Sequence, residues 1–241
     1  MINPFYEKLA KLAVIYSINV KKGDRVFVLG PILAEELFRA LYIEILKAGG
    51  HPLLIPFIEG QEELLFKFAS EEQLSYVDNV RKMINKEFDC MIAIGADYNT
   101  KNLSLIDPQL ISKRYGSPKL KELWDLFYDR VANKEARWVG IPFPCHSFAQ
   151  DANMDLFSYT NFIEKALFLD KENAILEWQN IENFQKRYIQ YLKNVDEIEI
   201  LGEDTDLKFS VKGRKWDNCC GKENLPDGEI CTCPIEDSVN G

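Results

Sequence analysis

Cysteine is the residue type with the most obvious chemical potential in this sequence. Four of its six cysteines lie within the last 23 residues of the 241-residue chain: Cys219, Cys220, Cys231 and Cys233. Four thiolates can surround zinc tetrahedrally, so a structural zinc site is one interpretation. Structural zinc loops favour cysteines two to four residues apart, however, and a vicinal pair does not easily aim both sulfurs at one ion. The spacing therefore favours small buried or half-buried thiols, with adventitious disulfides as a third alternative.

Histidine is scarce, which limits general-base chemistry and most metal sites. His51 is predicted to open a strand, and His146 stands between Cys145 and Ser147. Adjacent residues rarely form a nucleophile and base pair, because such partners meet through the fold. Asp97 follows a predicted strand, where capping of a loop is the favoured role. The sequence thus identifies no catalytic residue.

The turn after the first predicted strand argues against nucleotide binding. It reads Gly30-Pro31-Ile32-Leu33, with one glycine where the dinucleotide fingerprint needs three. No glycine-lysine phosphate loop occurs elsewhere in the sequence.

Strands and helices alternate through the first half of the chain. The apolar segments predict four strands, at residues 25–31, 51–58, 88–96 and 136–144. Amphipathic or capped segments predict the intervening helices: 6–17, a helix through Leu37 to Ala48 ended by Gly49-Gly50, 70–86 behind a Ser70/Gln73 capping box, and two that open with Asp107-Pro108 and Ser117-Pro118.

Strands joined by helical crossovers cannot be hairpins, so right-handed βαβ units and a parallel sheet follow. The predicted fold class is α/β, a doubly wound and mostly parallel sheet with helices on both faces, followed by the start of a second α+β domain.

Residues 151–194 show helical periodicity, and Asp170 is the expected cap of the last long helix. The pattern changes in the last fifty residues. Residues 197–216 alternate polar and apolar side chains, with turns at Gly202 and at Lys212-Gly213, which predicts an antiparallel meander. We therefore predict an amino-terminal α/β domain at 1–194 and an incomplete opening segment of a second domain at 195–241.

Composition and charge disfavour two classes of partner, nucleic acids and membranes. A formal charge of −9 and a pI near 4.9 disfavour a nucleic acid partner. The longest uncharged apolar runs fall far short of the roughly 20 residues that span a bilayer. Charged side chains at Glu7, Lys8 and Lys11 interrupt any signal-peptide pattern. These features predict a cytoplasmic protein without a membrane partner.

The carboxy-terminal motifs are the most specific part of the sequence. Thr205-Asp206-Leu207, Gly213-Arg214, Trp216 and the segment from Asn224 to Glu229 occur in an order that resembles the metal-dependent aminopeptidases of the aminopeptidase T and aminopeptidase S family, also called thermophilic metallo-aminopeptidases. The segments Asn19 to Val28, Ala48-Gly49-Gly50 and the residues near Gln150 fit the same family, so the resemblance covers nearly the whole chain.

This resemblance implies a metallo-aminopeptidase that removes amino-terminal residues from peptides with a free amino terminus. It implies two divalent ions, zinc, cobalt, manganese or magnesium, which activate water and hold the substrate amine. Glu229 matches one carboxylate ligand, and the Pro226-Asp227-Gly228 turn is predicted to present it at the start of a strand, on the same face as Cys231.

The resemblance implies that the remaining ligands, which are a second glutamate, histidines and an aspartate, lie in a stretch after the point where this chain ends. Neither His51 nor His146 lies in a matching motif. The chain ends at Asn240-Gly241, a turn-forming pair. We expect a truncated amino-terminal fragment that does not hold the two ions stably and is inactive alone. The alternatives are a non-catalytic α/β binding or oligomerisation domain, which would pair its exposed strands in a homodimer, and a cysteine-zinc structural domain.

Overall fold

A four-stranded parallel sheet forms the centre of the computed structural model, which describes residues 2–236. The strands are β1 (Arg25–Pro31), β2 (His51–Phe57), β3 (Cys90–Gly95) and β4 (Arg137–Pro142). Their order across the sheet is β2-β1-β3-β4, and each neighbouring pair is parallel. The predicted α/β fold class is confirmed, because every crossover between these strands contains a helix.

Helices occupy both faces of the sheet. In chain order they are α1 (Pro4–Lys11), α2 (Glu35–Lys47), α3 (Gln61–Phe68), α4 (Glu71–Leu74), α5 (Asn79–Glu87), α6 (Pro108–Tyr115), α7 (Pro118–Ala132), α8 (His146–Asp151), α9 (Leu156–Ala166) and α10 (Ala174–Leu192). A wider π-helical segment, Leu12–Ser17, continues α1, and a 3-10 turn, Ile32–Ala34, precedes α2.

Two hydrophobic cores lie on opposite faces of the sheet. The larger core joins α1, α2 and α10 to the strands and includes Leu9, Leu41, Ile92 and Trp178, all at most 1% exposed. The smaller core packs α5 and α7 against the other face through Phe27, Ile84, Met91, Phe127 and Ala136. The near-continuous apolar pattern of β1 and β3 follows from this, because both of their faces are covered.

Two predicted helix boundaries are wrong. Ser70 and Gln73 do form a capping box, but α4 ends at Leu74 and a separate helix, α5, begins behind its own cap at Asp78. The last long helix, α10, is capped by Asn173 and not by Asp170; the Asn173 side chain accepts a hydrogen bond from the Leu176 N–H.

The predicted meander is also only partly correct. Strands β5 (Glu197–Gly202) and β6 (Thr205–Ser210) form an antiparallel hairpin. After Lys212-Gly213 the chain does not return to this hairpin. Strand β7 (Asp217–Cys219) pairs instead with β8 (Glu229–Cys231) in a second antiparallel ribbon, which lies against α10.

The loop between β7 and β8 packs on the first sheet. Gly140 of β4 donates its N–H to the Glu223 carbonyl at 2.7 Å and accepts from the Leu225 N–H at 2.9 Å. Leu225 and Cys220 are 4% and 2% exposed, and Leu225 belongs to the larger core. The carboxy-terminal ribbon is therefore fixed to the α/β layer by backbone and side-chain contacts, while the division at residue 195 stays a prediction.

None of the helices within residues 2–236 has both the length and the hydropathy of a bilayer-spanning segment. The Asn240-Gly241 pair lies outside the described residues.

Candidate metal centre

The β7–β8 ribbon places Glu229 where the sequence predicts it, at the first position of a strand. Glu229 pairs with Cys219 in the antiparallel register, so their side chains share one face of the ribbon. Glu229 and Cys231 are exposed on either side of the half-buried Ile230, in agreement with the strand alternation.

Three potential ligands meet at this point. The Cys219 Sγ, an Asp227 carboxylate oxygen and a Glu229 carboxylate oxygen all lie within 4.8 Å of one another. Cys219 and Asp227 are half-buried, and Glu229 is exposed. This is the one such group of three among residues 2–236.

Backbone contacts hold the loop that carries these ligands. The Gly228 N–H donates to the Cys219 carbonyl at 3.0 Å, and the Gly221 N–H donates to Asp227 Oδ2 at 3.1 Å. The Tyr16 hydroxyl donates to the Cys220 carbonyl at 2.8 Å, which ties the loop to the first helical segment. The ligands thus sit on a closed loop with several fixed points.

The electrostatic environment is strongly acidic. Burial raises the pKa of the Cys219 thiol to about 11, and the negative charges of Asp227 and Glu229 add to the shift. Burial, followed by the charges of Asp217 and Asp227, also raises the pKa of the Glu223 carboxyl. A divalent cation would relieve this concentration of negative charge.

The donor set fits a divalent metal ion. Carboxylate oxygens bind magnesium, manganese and zinc, whereas a thiolate binds zinc and other softer ions. Three donors within 4.8 Å of one another can hold one ion. They are too few for two ions with full coordination shells.

The four carboxy-terminal cysteines do not assemble into a cysteine-zinc site within the described part of the chain. Only Cys219 joins the ligand group. Cys220 is buried, Cys231 and Cys233 are exposed, and all six cysteines are free thiols. The vicinal pair is divided, because Cys219 belongs to the ligand group and the buried Cys220 does not.

The other candidate side chains have local structural roles. The Asp97 side chain accepts from the Asn99 N–H at 3.2 Å, which confirms its role in a loop. Ser147 Oγ donates to the Asp97 carbonyl at 2.5 Å and lies 3.3 Å from Cys145 Sγ. His146 is exposed at the start of α8.

Sequence reasoning did not identify Cys219 and Asp227 as partners of Glu229. It placed Asp227 in the turn and Cys231 on the face of Glu229, but it did not pair the strands. The signal for the pairing was weak: Pro226-Asp227-Gly228 turns the chain directly before Glu229, but residues 217–219 read Asp-Asn-Cys and show no apolar-polar alternation.

Fold and site together define an α/β protein with a carboxy-terminal ribbon that offers metal ligands. The family model of the Thermophilic metalloprotease (M29) matches residues 3–241, so the chain belongs to this family.

Two individual proteins are similar to this chain. Aminopeptidase 2 of Geobacillus stearothermophilus is 24% identical over 260 residues, covering 98% of this chain and 62% of that protein. The solved structure of wild-type AmpT from Thermus thermophilus has a TM-score of 0.78 at 19% identity, covering 95% of this chain and 61% of AmpT. The chain therefore spans under two thirds of the length of either protein, and the likeness to AmpT supports the fold.

Proposed function

We propose that this chain is part of a metallo-aminopeptidase that removes amino-terminal residues from peptides. In this proposal Glu229 binds one of two divalent ions, which are zinc, cobalt, manganese or magnesium. The observation that carries it is the meeting of Glu229 with Asp227 and Cys219 within 4.8 Å, in a chain that belongs to a metalloprotease family.

Divalent ions held by these residues would supply a nucleophile for peptide hydrolysis by lowering the pKa of water, and would polarise the peptide carbonyl. The residues of this chain serve to position the ions. Glu229 stands at the start of a hydrogen-bonded strand, and the Asp227 carboxylate is oriented by the Gly221 N–H at 3.1 Å. Held in this way, a ligand keeps its geometry during a reaction.

The proposal assigns different roles to two parts of the chain. Residues 195–241 are proposed to open the catalytic domain, which the α/β layer of residues 1–194 supports. Three donors cannot complete a centre of two ions, so we expect the chain alone to hold the pair weakly and to be inactive.

A cytoplasmic homodimer is the proposed state of the protein, and a non-catalytic oligomerisation domain is the second candidate function. The observation in its favour is the β5–β6 hairpin, where Ile200 and Leu207 pair on one face and are 46% and 49% exposed. Apolar side chains on a two-stranded ribbon are commonly covered by another surface.

Two hydrolysis assays test the enzymatic proposal. The purified 241-residue chain, supplied with cobalt, zinc or manganese, is expected to release no amino-terminal residue from short peptides. The protein purified from its natural source is expected to release them, and a chelator is expected to stop it. Peptide hydrolysis by the chain alone would contradict the proposed need for further ligands.

The role of Glu229 is tested by substitution in the active protein. Glu229→Gln replaces one carboxylate oxygen by an amide nitrogen and removes the negative charge, and it is expected to lower kcat/KM at least as much as the roughly 10–100-fold lost when a partner of a metal ligand is removed. Glu203→Gln is the matched control, because Glu203 is exposed in the turn between β5 and β6 and lies outside the ligand group. Equal activity of the two variants would exclude Glu229 as a ligand.

A further inference from the structure

We infer that Cys219 is a thiolate ligand of the ion held by Glu229, and that the centre therefore prefers zinc or cobalt to magnesium. This inference rests on the proposed role of Glu229 in metal binding. The observation that supports it is the ligand group of Cys219, Asp227 and Glu229, in a chain that belongs to a metalloprotease family.

Strand register brings the thiol to the carboxylate. Cys219 and Glu229 are direct partners across β7 and β8. Direct partners of an antiparallel pair have Cβ atoms about 4.5–5.5 Å apart on the same face. Their ligand atoms lie within 4.8 Å of each other, and side-chain rotation would bring them to the shorter separation that two metal bonds of roughly 2.0–2.3 Å require.

The turn before β8 completes the site. Asp227 is fixed by the hydrogen bond from the Gly221 N–H, and the Gly228 N–H donates to the Cys219 carbonyl at 3.0 Å. These two hydrogen bonds join the beginning of the loop from Cys219 to Glu229 to its end. The sulfur and the two carboxylates are thus gathered by the backbone before any ion binds, which lowers the cost of binding one.

The chemistry of the sulfur decides the preferred ion. Thiolates bind zinc and cobalt far better than magnesium, which prefers oxygen donors and keeps much of its water. On binding, the Cys219 S–H bond breaks, the proton leaves to solvent or buffer, and a sulfur–metal bond forms. The sulfur changes no oxidation state, and no further reagent is needed.

The other nearby thiols make a poorer match. Cys220 is 2% exposed and packs into the interior. Cys231 is a diagonal neighbour of Cys219 across the ribbon, two residues beyond Glu229, and it lies outside the ligand group with Cys233. Because Cys231 and Cys233 are exposed, however, they can bind soft ions on their own, so the test must separate them from Cys219.

Cobalt absorption provides that test, because a cobalt–thiolate bond gives a charge-transfer band in the near ultraviolet. The 241-residue chain is titrated with Co²⁺ to millimolar concentration, with the double variant Cys231→Ser/Cys233→Ser in parallel. We expect the band in both proteins, its loss in Cys219→Ser, and a weaker apparent affinity in Glu229→Gln. Mg²⁺ at the same concentration is expected not to displace the cobalt, whereas Zn²⁺ is expected to remove the band.

Alkylation gives a second measurement that leaves Cys219 in place. In the double variant, Co²⁺ or Zn²⁺ is expected to slow the reaction of Cys219 with iodoacetamide, as located by peptide mass. A band that persists in Cys219→Ser but disappears in the double variant would overturn the inference, as would equal alkylation with and without metal.

The outcomes also separate this inference from the proposed function. Cobalt binding that needs Glu229 but gives no thiolate band would refute the Cys219 ligand and leave the proposed metal role of Glu229 standing. A thiolate band that is lost in Cys219→Ser and unchanged in Glu229→Gln would support the sulfur ligand and refute the role of Glu229.

Discussion

The loop from Cys219 to Glu229, called the ligand loop below, contacts the larger core at Gly221. Replacement of Gly221 by alanine tests how that loop is held. Gly221 has φ +80°, and a Cβ there would stand 2.8 Å from Leu225 Cδ2 and 3.1 Å from Trp178 Cε3. The left-handed backbone alone costs a non-glycine residue about 1–2 kcal/mol. Overpacking a buried contact adds about 1–3 kcal/mol, so Gly221→Ala is expected to lower the free energy of unfolding by about 2–5 kcal/mol.

Gly213→Ala is the matched control for the backbone term. Gly213 has a similar φ of +73°, but its added Cβ would meet no atom within 4 Å. This variant is expected to lose only the cost of the left-handed conformation, about 1–2 kcal/mol.

Equilibrium urea unfolding, followed by tryptophan fluorescence and circular dichroism, measures both variants. The difference between the two free energies of unfolding isolates the contact of the loop with Leu225 and Trp178. If Gly221→Ala and Gly213→Ala lose the same free energy, the loop is not tightly packed at this contact, and the packing argument for the ligand loop is refuted.

Two further predictions concern a buried hydrogen bond and a buried thiol. Tyr16→Phe removes the donor to the Cys220 carbonyl and is expected to cost about 1–3 kcal/mol in urea unfolding, since the acceptor stays buried; an unchanged midpoint would show that the bond is dispensable. Burial raises the pKa of Cys90 from 9.0 to about 12, so the stability that this neutral thiol contributes is present below pH 9 and is lost as pH rises from 9 to about 12. Cys90→Ala is therefore expected to lose less stability than the parent protein across that interval, as measured by urea unfolding at several pH values, and parallel losses would contradict the assignment.

The parallel sheet was predictable from the sequence because apolar segments and the helices between them can be identified from local patterns. Apolar segments such as residues 88–96 must be covered on both faces, and crossover helices between them permit only parallel pairing. Helix boundaries were less predictable where two caps compete. Asp78 opens a new helix inside a segment that reads as one, and Asn173 lies only three residues beyond Asp170.

The candidate centre was predictable only in part, because its ligands come together through the pairing of two strands and not through a local pattern. Glu229 follows a turn that the sequence displays, and the motif around it is specific. Its partner Cys219 is ten residues away and becomes a neighbour only through the register of β7 and β8. Cys231, two residues from Glu229, satisfied the same face rule, and strand alternation alone could not choose between the two sulfurs.

The contact of Gly140 with Glu223 and Leu225 also bears on aggregation. Strands β2 and β4 are the two edges of the sheet, and exposed edges can pair with other chains. Pro52 and Pro56 interrupt the donor groups of β2, while the ligand loop pairs with the middle of β4. The segment that gathers the candidate metal ligands thus also protects a sheet edge, so damage to it would reduce the solubility of the protein as well as its capacity to bind an ion.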